Sequence, residues 1–89
     1  MMPRLRKIDN NFVAVEFGDK TVWFSYETPI AFYTPKTGDV IRQNEWSTTT
    51  GKHLNAIDGG TKTAKAERVS SEDFNAALKR LLKWLGLGE

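Results

Sequence analysis

The chain has 89 residues, of which 39% are hydrophobic and 27% charged, with a formal net charge of +2. That length holds one small domain, read as spanning residues 1–89, and the composition excludes extended disorder. The absence of cysteine excludes a disulfide framework and thiolate metal sites and points to a cytoplasmic protein.

The start, MMPRLRK, is basic with no apolar stretch behind it, and no run approaches the length of a bilayer span. Neither an export signal nor a membrane partner is expected. From Phe12 to Tyr26 two β-rich runs flank Gly18-Asp19, a glycine-first pair that suits a type II′ hairpin. A two-residue loop sets Val15 opposite Val22 and Val13 opposite Phe24 on a core face, with Ala14 opposite Trp23 and Glu16 opposite Thr21 on the other. Trp23, on the mixed face, needs cover from another element or a partner.

Pro29 removes a ladder donor and biases Thr28 to extended geometry, so ETP separates this hairpin from the next. IAFYT and DVIRQ then form a second hairpin across PKTG, whose early proline and final glycine suit a type I turn with a bulge-like exit. The expected pairing sets Phe32 against Ile41, and Tyr33 with Val40, Ala31 and Arg42 on the opposite face.

Residues 47–57 read as a short helix ended by Asp58-Gly59-Gly60. Trp46, Thr50, Leu54 and Ile57 share one side, His53 lies at its edge, and Thr48, Lys52 and Asn55 face away. TKTAKAERV is read as a loop leading into a short edge strand near residues 64–69. Ser70-Ser71 then caps an amphipathic helix, with Ser70-x-x-Asp73 resembling a capping box. Phe74, Ala77, Leu78, Leu81, Leu82, Trp84 and Leu85 form its apolar face; Trp84 at the margin and Leu87 beyond it suit docking of a second copy or a partner, and fraying of the last turn explains Leu87 equally well. Glu72 and Asp73 begin this helix and Lys79, Arg80 and Lys83 follow, an order that suits its dipole. The whole reads as α+β: a four-stranded antiparallel meander of two hairpins, a short helix, an edge strand and a C-terminal amphipathic helix.

For catalysis, Thr49 lies one helical turn before His53, the only histidine, but no acid is evident to orient the ring, and a packed structural histidine is the competing reading. No catalytic residue is therefore assigned. One histidine without cysteine gives no metal-ligand set, and no cofactor is expected. TTTGK lacks the first glycine of a P-loop and places His53 where the Ser/Thr belongs, which argues against a nucleotide site.

A helix start flanked by hydroxyls and a lysine suits an anion, but Ser47 or Thr48 acting simply as an N-cap is the more ordinary reading. Three threonines and Gly51 are poor helix formers, so packing or a ligand must support this start. Aromatic and basic residues on the sheet suit single-stranded nucleic acid, although small domains also need aromatics for their cores. The candidate nucleic-acid or anion-binding residues are Tyr33, Arg42, Trp46, Ser47, Thr48, Thr49, Lys52 and His53.

Ser25, Tyr26, Thr28 and Pro29, followed by Trp46, Ser47, Thr49, Thr50, Lys52 and His53, form a pattern that resembles the core of an uncharacterised family of small proteins encoded by tailed phages and some archaea. It covers about a third of the chain, and Gly51 stands where other members often have a small polar residue. The resemblance implies a phage or mobile-element accessory protein in a host cytoplasm and brings no activity with it. The leading expectation is a non-enzymatic protein that binds nucleic acid through the helix start and the Tyr33/Arg42 sheet face. The alternative is a module that binds or inhibits a host or phage protein, or pairs as a homodimer; a hydrolase built on Thr49 and His53 is a third reading.

Overall fold

The structure is a computed structural model that describes residues 3–44 and 48–84, of Thr48 and Trp84 the backbone only. Five strands come first: β1 (Arg4–Asp9), β2 (Phe12–Phe17), β3 (Lys20–Ser25), β4 (Thr28–Thr34) and β5 (Gly38–Ile41). They form one antiparallel sheet in the order β1-β2-β3-β4-β5. Three helices follow: α1 (Thr48–Asp58), α2 (Lys62–Ala66) and α3 (Ser71–Trp84). The α+β meander therefore stands, extended at its start by β1.

The Gly18-Asp19 hairpin forms in the expected register, with Val15 opposite Val22 and Ala14 opposite Trp23. Gly18 adopts a φ of 66° while Asp19 keeps a negative φ, as a type II′ turn requires. The β4–β5 register is one residue off the expectation: Phe32 pairs with Val40, Ala31 with Ile41 and Tyr33 with Asp39. Its cause is the turn. Thr34 pairs with Gly38 around Pro35-Lys36-Thr37, and Gly38 takes the left-handed φ of 69° that a bulge-like exit demands.

ETP does not separate two hairpins. Ser25 pairs with Thr28 across the tight turn Tyr26-Glu27, and Pro29 lies inside β4. Trp23 pairs with Ala31 but Phe24 with Pro29, leaving Ile30 as the extra residue of a bulge, the setting in which a strand tolerates proline.

Strand alternation sends Trp23, Ala31 and Ile41 to one face, where Phe12, Ile30, Leu54 and Ile57 join them. The cover that Trp23 needs is thus α1. On the opposite face Val22 and Phe32 pack with Phe74, Leu78 and Leu81, so α3 closes the second core. Each fully buried Phe, Ile or Leu contributes about 1.5–3 kcal/mol from the area it removes from water. Trp84's side chain, Leu85 and Leu87, given an apolar role from the sequence, lie outside the described residues.

The expected edge strand over residues 64–69 is replaced by α2, which Thr61 caps by accepting the Ala64 N–H at 3.1 Å. Only Val69 approaches the sheet, as an isolated parallel bridge to Arg42. The cap of α3 is as expected: Ser70 Oγ accepts the Asp73 N–H at 3.2 Å.

Candidate functional site

The two halves of the quoted motif meet where α1 crosses the sheet. Ser25 closes β3 on the α1 face, and Thr50 and His53 lie on the buried side of α1. Ser25 Oγ is 2.7 Å from His53 Nδ1 and 3.1 Å from Thr50 Oγ1. The His53 ring stacks on Phe12 at 4.6 Å between centroids, and Tyr26 leans over it at 6.4 Å.

A serine bonded to a histidine is half of a nucleophilic device, but this one is enclosed: Ser25 is 2% exposed and His53 5%. The ring's partners are one hydroxyl and two aromatic rings, and among the described residues no carboxylate orients it as a triad requires. Nor, among the described residues, do three His, Asp or Glu side chains gather there as a metal-binding group. What the arrangement does is hold α1 on the sheet: each buried hydroxyl and the ring nitrogen has a partner, and this compensates the poor helix propensity of Thr49-Thr50-Gly51. Gly51 itself lies close to Asn44, where an added Cβ would come within 3.0 Å of Nδ2.

Above the histidine, Tyr26 has a φ of 57°, an uncommon backbone for an aromatic residue. Its N–H donates to the Asn11 carbonyl at 2.6 Å, which joins the β1–β2 turn to the β3–β4 turn. The far end of α1 is anchored by a second polar knot. Arg68 donates through Nε to Asp58 Oδ2 at 2.8 Å, and through Nη2 to Asp58 Oδ1 at 2.9 Å and Asn55 Oδ1 at 3.0 Å. The Arg68 hydrogen bonds hold the Asp58 carboxyl below the usual aspartate range, against the opposing effect of burial. A guanidinium here also suits the negative end of the helix dipole.

The residues proposed for nucleic acid do not come together as one surface. Arg42 is buried: its guanidinium donates to the Pro29 carbonyl at 3.4 Å and to Ser71 Oγ at 2.7 Å, and lies 5.2 Å from the Phe74 ring. It ties β5 to α3 rather than facing a ligand. His53 is likewise interior. Tyr33, Thr49 and Lys52 are exposed, Tyr33 towards the β4–β5 turn and the other two on α1. Trp46, Ser47 and the side chain of Thr48 lie outside the described residues.

The strand not foreseen is the most accessible. All six residues of β1 are exposed, with Leu5 at 70% and Ile8 at 41%. Arg4 and Arg6 pair with Glu16 and Ala14 on the α1 face; Leu5 and Lys7 pair with Val15 and Val13 on the α3 face. Arg6 reaches Glu16 at 3.7 Å, a surface ion pair of small energetic weight. Along its other side no strand lies beside β1 among the described residues.

Fold and site together define a small α+β protein built on a five-stranded meander with one open edge. The chain belongs to a family of unknown function (DUF8033), whose model matches residues 4–76, from the first residue of β1 into α3. No curated protein and no solved structure matches it.

Proposed function

We propose that this chain is a small non-enzymatic binding protein that engages another protein through the open edge of β1. The observation that carries this reading is the edge itself: a six-residue strand, exposed throughout, ends the sheet with no neighbour on one side among the described residues. Such an edge offers a row of backbone donors and acceptors for an added strand. The opposite edge is less open, because Val69 N–H donates to the Ile41 carbonyl and Gln43 N–H to the Val69 carbonyl.

Binding of nucleic acid is the second reading, favoured by the neighbouring exposed cations Arg4, Arg6 and Lys7. It ranks lower because Arg42 and His53 are interior. On the resemblance of its motif, we read the protein as a phage or mobile-element accessory acting in a host cytoplasm.

A photo-crosslinking residue at Leu5, with a second variant carrying it at exposed Glu72 on α3, tests the reading in cells. Protein adducts formed from position 5 and not from position 72 support it. Adducts absent at 5, or equal at both positions, contradict it, as does tight binding of short DNA or RNA at low salt that a Leu5 crosslinker does not disturb.

A further inference from the structure

We infer that the partner presented to β1 is an extended acidic segment that adds as a strand, with acidic side chains against Arg4 and Arg6 and an apolar one against Leu5. This inference rests on the reading of the β1 edge as a protein-binding surface and names the chemistry of the occupant.

Complementarity to β1 follows from its alternating faces. An added strand repeats every two residues, so its side chains fall alternately beside the α1 face and the α3 face of β1. On the α1 face they meet Arg4 and Arg6, of which Arg6 reaches Glu16 at 3.7 Å. On the α3 face they meet Leu5, which lies 70% exposed beside half-buried Val15. An apolar side chain there would bury surface that the domain leaves in water.

A second copy fits poorly. Two β1 strands joined about a two-fold axis in the registers centred on Leu5 or Arg6 would set Arg4 against Arg6, or Arg6 against Arg6, on the α1 face, and like charges across a ladder oppose pairing. Nucleic acid also fits less well: the cations divide between the two faces of the sheet, and Leu5 finds no counterpart in a phosphate chain. Phosphate oxygens, moreover, only accept hydrogen bonds and leave the strand's carbonyls unanswered.

The probe is a labelled synthetic peptide, matched to β1 in length, that alternates Glu and Val; a Lys–Val peptide, a Glu–Val peptide interrupted by proline, and labelled oligothymidylate serve as comparisons. Fluorescence anisotropy with the full chain should show the Glu–Val peptide binding best. Its affinity should fall about tenfold in the Arg4→Glu/Arg6→Glu double variant and at high salt. The Leu5→Ser variant should also weaken binding without changing the salt dependence. Equal binding of the Lys–Val or proline peptide, unchanged affinity in the charge-reversed variant, or preference for oligothymidylate would overturn the inference. Because the comparison peptides are tested on the unaltered chain, the result holds even if a variant misfolds. If the peptide fails while Leu5 crosslinks to a protein, the acidic segment is wrong and the edge reading stands; if both fail, the edge reading falls too.

Discussion

Ser25 Oγ lies 2.7 Å from His53 Nδ1, a bond between residues 28 positions apart that fastens the first helix to the third strand. Ser25 also meets Thr50, so its single hydroxyl proton serves one neighbour while its lone pairs serve the other. Replacing Ser25 by Ala leaves the buried imidazole nitrogen without its partner. The expected loss is about 1–3 kcal/mol, read as a lower urea midpoint at unchanged slope. If Ser25→Ala retains full stability, the latch is not what holds α1.

The Asp58–Arg68 pair predicts an acid-dependent stability. Its side chains are 9% and 6% exposed, and the carboxyl is held below the ordinary aspartate value of 3.8 by Arg68. A depressed folded-state pKa means that the pair's contribution is complete above the unfolded value and is lost as pH falls through the folded one. Arg68→Met should cost about 3 kcal/mol near neutral pH, because it leaves a buried carboxylate without its cation, held by the Gly60 N–H. It should also flatten the acid limb of the stability curve. Denaturation at several pH values checks both; an acid limb unchanged in Arg68→Met would contradict the assignment.

Gly38 and Gly60 make a paired test of backbone and packing. Both have left-handed backbones, with φ of 69° and 66°, yet an added Cβ meets nothing within 4 Å at Gly38 and lies 2.6 Å from Asn55 Cγ at Gly60. Gly38→Ala should therefore cost about 1–2 kcal/mol, the strain of that conformation alone. Gly60→Ala should cost more, since Asn55 must move and loosen its bond to Arg68. Equal losses by thermal denaturation would show that the contact does not matter.

Tyr26 tests whether its unusual backbone is sustained by its ring. Asn tolerates a φ of 57° better than an aromatic residue does. Tyr26→Asn should be neutral, or stabilising by up to about 1 kcal/mol, if the ring contributes little to the cover over His53. A loss near 2 kcal/mol in melting experiments would show instead that the Tyr26–His53 contact holds the turn.

The parts legible in the sequence were those fixed locally. A glycine-first two-residue loop sets every pair of the Gly18-Asp19 hairpin, and Ser70 with Asp73 marks the start of α3. The next hairpin slipped by one because Gly38 acts both as turn residue and as the partner of Thr34. Strand β1 stayed hidden for a physical reason: RLRKID is an edge strand exposed along its whole length, so no buried stripe marks it, and Ile8 is the extra residue of a bulge between Lys7 and Asp9. The helical placement of Thr50, Leu54 and Ile57 was readable. That His53 would meet Ser25 was not, because the pairing depends on how α1 crosses the sheet. Arg42 looked like a surface cation, and the packing of α3, which sets Ser71 and Phe74 against it, takes it inside.

Whether a peptide adds to β1 as a strand is read directly from amide hydrogen exchange of β1 with and without saturating Glu–Val peptide. Strand addition at β1 should slow exchange, by about tenfold or more, for amides within Arg4–Asp9, with little change in the first turn of α1 or at Lys52. Protection confined to α1, or none in β1 at saturation, would contradict it.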